Sequence, residues 1–431
     1  MRTVAKYNIE YNYEFKTKLL QWANQYREVV VLDSNLYNQK YSNFNMVVAV
    51  GAFTSILTDW QNAFEDLHNY QSVTKDWLFG YLSYDLKNDI EKLQSNNFDG
   101  LHFPDLYFFQ PKKIFLIKEN TLEIQYLNFI SDEIENDFET ICNIDLGNSK
   151  IPNKPIQIQQ RITKDEYVNK VNTMLQHIHR GNIYEANFCM EFFAENCSIQ
   201  PTQTFNKLNY LSQAPFSVYF KNNNQYLLCA SLERYLQKEK DKLISQPIKG
   251  TAKRSNEINE DEFYKNQLEK NPKERSENIM IVDLVRNDLS KTAQKNSVQV
   301  EELCKVYSFK QVHQMISTVV STIKDDVAPV ECIKTTFPMG SMTGAPKISA
   351  MQIIEELEET KRGLYSGALG YFTPNGDFDF NVVIRSILFN AQNNYLSFSV
   401  GSAITSKSNP ENEYEECLLK AKAMFEVLQS K

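Results

Sequence analysis

Lys249 ends an apolar run and is followed by Gly250, in the segment Gln246-Pro247-Ile248-Lys249-Gly250-Thr251-Ala252-Lys253-Arg254. A lysine amine becomes a nucleophile when burial or nearby cations favour its neutral form, and Lys253 and Arg254 are close in sequence. The glycine leaves backbone N–H groups free to meet an anion. A solvated basic turn would read the same way, since most lysines lie at the surface. Two carboxylate pairs stand out next. Glu274 and Glu277 lie three apart on one expected helix, and Glu413 and Glu416 three apart on another, so each pair shares a helix face. Like charges at that spacing repel, and a Mg²⁺ shared between the helices would remove the repulsion. The plain alternative is two solvated acidic faces with Lys273 or Lys420 as ion-pair partners.

Met339-Gly340-Ser341-Met342-Thr343-Gly344-Ala345-Pro346-Lys347 leads into a helix expected from about Ile348, a place where hydroxyls and free N–H groups suit a carboxylate or phosphate. A tight turn with proline at the helix start is the equally simple reading. It lacks P-loop glycine spacing, so it does not imply nucleotide binding. His313 could serve as an acid or base, although a lone histidine in an apolar stretch is commonly structural. His68, His102, His177 and His179 show no metal-ligand spacing. Nothing resembles the setting of a serine or cysteine nucleophile.

Elements must position these groups. Ser217–Phe220 with Tyr226–Ala230, Gly370–Phe372 with Phe378–Val383, and Ile384–Phe389 with Tyr395–Val400 are apolar runs flanking short polar turns, which predicts hairpins and antiparallel sheets. A doubly wound dinucleotide fold would instead alternate strands and helices. Thr163 and Glu166 form a capping box, with Ile162 and Tyr167 as a staple, for a helix ending at Gly181. Asn271-Pro272 starts a helix reaching about Leu289, and Asn409-Pro410 starts another that runs to the C-terminus. Ile151-Pro152-Asn153-Lys154-Pro155 marks a boundary between an N-terminal lobe, 1–150, and the region 151–431 that carries these candidate groups.

The 431 residues are ordinary globular material, 42% hydrophobic and 23% charged. A net charge of −8 without a basic stripe argues against nucleic acid as a partner. No apolar run is long enough for a membrane span, and no export signal opens the chain. Seven scattered cysteines without a Cys-x-x-Cys read as reduced thiols in the cytoplasm. Glycine is scarce: 13 in all, against a usual share of roughly 7%. Seven of those 13 fall between 340 and 401, where backbone must turn tightly or approach an anion.

Taken in order, Gly181–Asn187, Ser231–Tyr235, Pro247–Arg254, Glu274 with Ile281–Asp288, Gly340–Lys347, Arg362–Tyr371, Arg385 and Gly401–Glu416 resemble the chorismate-utilising enzyme family over about residues 160–430. The resemblance implies an α+β fold with two large antiparallel sheets packed as a sandwich, helices outside and the active site between. Lys249 stands where anthranilate and isochorismate synthases carry a small residue. That points to the branch that aminates chorismate at C4, giving 4-amino-4-deoxychorismate for 4-aminobenzoate and folate, with ammonia from a separate glutaminase. Carried over residue by residue, the resemblance makes Lys249 the nucleophile at C2 and Glu233 the general acid, with His313 beside them. It assigns Mg²⁺ to Glu277 and Glu416 aided by Glu274 and Glu413. Gly250 and Thr251 would hold the ring carboxylate, Tyr365 and Arg385 the enolpyruvyl carboxylate, and Ser341, Gly401 and Lys420 would complete the pocket. Other readings are an anthranilate synthase component I and a non-catalytic protein that binds chorismate or tryptophan. Departures from the family pattern are Glu185 for the usual glutamine, Leu232 for proline and Ala403 for the second glycine of Gly-x-Gly. In the N-terminal lobe, Leu32-Asp33-Ser34 resembles a segment that lines a tryptophan site in related enzymes, though an ordinary strand end would look the same.

Overall fold

The computed structural model describes residues 1–37, 40–147 and 156–429. The expected boundary at Ile151–Pro155 lies outside the described residues. Among the described residues, twenty strands join in one hydrogen-bonded network. Their ladders are antiparallel, as the hairpin signals predict. Phe216–Asn222 pairs with Gln225–Ser231, Ala368–Phe372 with Phe378–Val382, and Ser386–Asn390 with Tyr395–Thr405.

The α+β antiparallel class is therefore present, but a division into two separate sheets is not resolved. Strands from the two halves of the chain share edges. Glu28–Asp33 pairs with Met46–Thr58 on one side and Phe216–Asn222 on the other. Leu78–Leu82 likewise bridges Leu106–Lys118 and Ala368–Phe372. One apolar cluster accordingly packs Phe15, Trp22 and Val31 with Phe188, Tyr219 and Phe398. Shared burial of this kind makes the two halves fold as one body.

Helices begin where their caps dictate. Thr163 and Glu166 complete a reciprocal capping box at the start of Lys164–His179. The Asn271 side chain accepts from the N–H groups of Lys273 (2.9 Å) and Glu274 (3.3 Å), so Pro272–Ser290 starts with its first donors satisfied. Pro410–Gln429 packs across the Tyr395–Thr405 strand. Ile258–Lys270, a helix the sequence pattern did not announce, covers the outer face of Ile248–Lys253. Among the described residues all seven cysteines are free, and no helix is long and apolar enough to cross a membrane.

Glycine is used where backbones close up. A Cβ on Gly401 would sit 2.6 Å from Cys189 Sγ and 2.9 Å from the Phe188 carbonyl, inside the ladder between Tyr395–Thr405 and Glu185–Ala194. Gly401→Ala should therefore destabilise the fold by about 1–3 kcal/mol, read as a lowered midpoint in denaturant unfolding. An unchanged midpoint would show that the ladder has slack there.

Candidate active site

A bulge sets the position of Lys249. Ile248 pairs with Ile316 and Thr251 with Gln314, so Lys249 and Gly250 together oppose the single residue Met315. A bulge of this kind re-aims a side chain and ends regular pairing. Gly250 adopts φ +96°, in the left-handed region, and a Cβ there would meet Glu274 Oε2 at 3.1 Å. A residue with a side chain would be strained and would push Glu274 away. Asn278 fixes the bulge from the helix above: its amide lies 3.3 Å from the Lys249 carbonyl and 3.2 Å from that of Met315, and its oxygen accepts from Ser317.

The Lys249 side chain turns inward, 9% exposed, and its Nζ donates to Glu185 Oε1 at 2.5 Å. Glu185 is 1% exposed, and its second oxygen, Oε2, is buried with no hydrogen-bond partner. Glu233 completes the centre. Burial pushes its carboxyl up to about 7, against partial relief from Ser341, the Lys249 ammonium and the Ile248 backbone. It can therefore carry a proton at neutral pH, as a general acid must. Ser341 is close enough to lower Glu233, yet its hydroxyl makes no hydrogen bond of good geometry.

The acidic pairs face the same space. Burial raises Glu277 to about 7, only partly offset by Lys249 and Lys273, and one of its oxygens is buried without a hydrogen bond. Burial also raises Glu274 and, with the neighbouring Glu416 charge, Glu413. Glu416 is instead held low by Lys420, whose Nζ is 2.7 Å from it and 2.8 Å from the Gly401 carbonyl. Lys273 stands between the helices, 3.8 Å from Glu277 and 3.9 Å from Glu413. Lysines thus partner these carboxylates, but Glu277, Glu274 and Glu413 are desolvated rather than solvated. Among the described residues no three ligand groups come close enough to chelate a metal directly. An all-oxygen set of under-compensated carboxylates, spread in this way, fits a hard cation that keeps most of its waters.

Arg385 reaches the turned Gln314 amide. Burial alone lowers it to about 10, and among the described residues no carboxylate pairs with it. Its backbone sits at φ +50°, a costly conformation for a non-glycine residue and one found at ligand clamps. With the Gln314 amide turned so that its nitrogen meets the Gly250 carbonyl at 3.0 Å, its oxygen meets Arg385 Nη2 at 3.2 Å. Gln314 thus joins the bulge to the arginine. Tyr365 is buried, and its hydroxyl contacts Cys189 Sγ at 3.9 Å.

His313 is held elsewhere. Its ring is fully buried between Ser308 Oγ (2.9 Å) and Asp261 Oδ1 (3.0 Å), and Asp261 also accepts from Arg254 at 2.7 Å. It follows Val312 and precedes Gln314 on one strand, so its side chain points away from the Gln314 face. Leu32, Asp33 and Ser34 line a separate cavity with Arg234, Tyr371 and Asp379. There Arg234 grips Asp379 at 2.9 and 3.1 Å. Sequence reasoning missed the Glu185–Lys249 contact and the roles of Asn278 and Gln314. The only hint was that Glu185 departs from the family pattern.

The profile of chorismate binding enzymes matches residues 34–426. A rice protein (Oryza sativa subsp. japonica) named probable aminodeoxychorismate synthase, chloroplastic, is 33% identical over 413 residues, covering 85% of this chain and 46% of its own length. This chain therefore spans about half of that relative. Aminodeoxychorismate synthase component 1 of Bacillus subtilis is 32% identical over 361 residues, covering 81% of this chain and 76% of that protein. The crystal structure of anthranilate synthase component I from Streptococcus pneumoniae superposes with a TM-score of 0.77 at 22% identity, covering 90% of this chain and 94% of that one. That likeness speaks for the fold alone.

The buried Glu233 gives a stability prediction. Folding raises its carboxyl from 4.5 to about 7, so the folded protein holds a proton that the unfolded chain would release. The stability this contributes is full below about pH 4.5 and is lost as pH rises through about 7. Glu233→Gln cannot ionise. It should lose less stability than the unaltered protein between pH 5 and 8, by up to about 3 kcal/mol, measured by denaturant titration at both values. Parallel losses in the two proteins would place the Glu233 carboxyl in solvent-like surroundings.

Proposed function

The chain belongs to the chorismate-binding enzyme family, and on that premise we propose that it aminates chorismate at C4 to give 4-amino-4-deoxychorismate. One observation carries this reading: a buried lysine amine, Lys249, held on a bulge beside the buried acid Glu233. Neither a binding module nor a route by ammonia attack alone has use for that nucleophile. The names of the rice and Bacillus relatives agree with it.

In the proposed reaction Lys249 Nζ bonds to C2 of the ring, the C1=C2 electrons move to C1–C6, the C5=C6 electrons move to C4–C5, and the C4–O bond breaks. Glu233 gives its proton to the departing hydroxyl, which leaves as water. Ammonia then adds at C4, the electrons return to C5–C6 and C1–C2, and Lys249 is expelled as an amine. The Glu233 carboxylate finally takes a proton from the new C4 ammonium. Arg385 and Tyr365 would orient the enolpyruvyl carboxylate, the arginine having no carboxylate partner of its own among the described residues. The N–H groups of Gly250 and Thr251 would meet the ring carboxylate. Mg²⁺ held by Glu277 and Glu416, with Glu274 and Glu413 acting through waters, would neutralise that carboxylate. Ser341, Gly401 and Lys420 shape the wall around them. Ammonia would come from a separate glutaminase, in keeping with the component 1 name of the Bacillus relative, and ammonium salts should substitute for it. The Leu32–Ser34 cavity is where a tryptophan-type site would lie.

Product analysis with chorismate, Mg²⁺ and ammonium tests the reading. The expected product is 4-amino-4-deoxychorismate without pyruvate, and Lys249→Ala should cost about 10²-fold or more in kcat. Fluorescent anthranilate with pyruvate release would replace this reading with the anthranilate synthase one. Mg²⁺ should raise the thermal midpoint of the unaltered protein by mass action and leave Glu277→Gln unmoved. Equal shifts in both would remove Glu277 from the metal site.

A further inference from the structure

We propose that Glu185 is a catalytic residue, the proton store for Lys249, which takes one Nζ proton before the lysine attacks the ring and returns it after the lysine leaves. The inference rests on the amination reading above and deepens it. The contact already exists: Nζ and Oε1 are 2.5 Å apart, between groups drawn from strands 64 positions apart. A lysine that must attack carbon has to surrender a proton first, and water has little access where Lys249 is 9% and Glu185 1% exposed. Glu185 is the only carboxylate within ion-pairing distance of Nζ among the described residues. Its other oxygen has no hydrogen-bond partner, so nothing competes for the carboxylate.

The protons balance. Lys249 as ammonium passes one proton to the Glu185 carboxylate and attacks C2 as an amine, becoming a secondary ammonium on the ring. Glu233 meanwhile protonates the leaving hydroxyl. When ammonia adds at C4, the Nζ–C2 bond breaks and Lys249 departs as a neutral amine, already carrying two protons. Glu185 then restores the third. The pair ends as ammonium and carboxylate, as it began. A glutamine cannot hold that proton, so a chain with glutamine here must pass it to solvent or substrate.

The test compares Glu185→Gln with the unaltered full-length protein, supplied with chorismate, Mg²⁺ and ammonium. The variant should keep its KM for chorismate within about threefold and lose about 10²-fold in kcat. The loss should narrow as pH rises, because Lys249 must then lose its proton to solvent. Glu233, Glu274, Glu277 and Glu416 also face Lys249. They are present in both proteins, but the Glu185 charge raises Glu277, so the ratio of rates is read above about pH 8, where that carboxyl, raised to about 7, is ionised in both. A kcat within about threefold of the unaltered protein, or a ratio constant with pH, overturns the proposal. Should Glu185→Gln fail to fold, Glu185→Ala with added formate replaces it: a saturable rise in rate supports the store, and no response overturns it. The product made by the unaltered protein is identified in the same assay. An anthranilate product would therefore refute the amination reading by itself, whereas a failed Glu185 comparison would leave that reading standing.

Discussion

The buried ion pair between Lys249 and Glu185 is the interaction around which the site is arranged. An ammonium taken out of water is strongly unfavourable unless a close anion compensates it. Glu185 does so at 2.5 Å, yet it leaves the same chamber with Glu233, Glu274, Glu277 and Glu413 only partly compensated. Their carboxyls are pushed up by burial. That single imbalance produces both properties the chemistry needs. One carboxyl is kept protonated to act as an acid, and others are kept short of positive charge and so receptive to a divalent cation. Under the proposed function, local fields rather than net charge decide how an acidic protein receives a dianionic substrate, and the cations Lys249, Lys420 and Arg385 supply that field.

The scaffold serves this arrangement by leaving regular geometry at chosen points. The bulge at Lys249–Gly250 turns the lysine inward. Gly250 takes the left-handed φ of +96° that the bulge needs and lets Glu274 pack closely against it. Arg385 is held at φ +50°, and Gln314 ties it to the bulge. Each local cost is carried by a continuous antiparallel network with extensive apolar packing on both faces. Rigid strands and two helices, Pro272–Ser290 and Pro410–Gln429, thereby hold Lys249, Glu233 and the four glutamates in fixed relation.

Local signals in the sequence translated into structure where the physics is local. Thr163 and Glu166 cap each other, Asn271 and Pro272 open a helix, and the three polar turns make hairpins. Helical spacing put Glu274 beside Glu277 and Glu413 near Glu416, and the two pairs do share one chamber with Lys273 between them. What was illegible depends on distant pairing. Nothing in residues 28–33 tells that they will lie beside 216–222, so the way the strands of the N-terminal lobe join the rest of the sheet could not be read from the sequence. The Glu185–Lys249 contact likewise needs two strands to be placed before it exists. His313 shows the reverse hazard: its type and neighbours suggested an acid or base, but strand alternation turns its ring toward Asp261.

The central claim is that Lys249 becomes bonded to the substrate ring. Incubating the full-length protein with chorismate and Mg²⁺ but no nitrogen source, then quenching and mapping peptides by mass spectrometry, addresses it directly. The account predicts an adduct of chorismate less one water on the peptide bearing Lys249, which disappears when ammonium is added before quenching. Unmodified Lys249 in a preparation that still aminates chorismate when ammonium is supplied would contradict it.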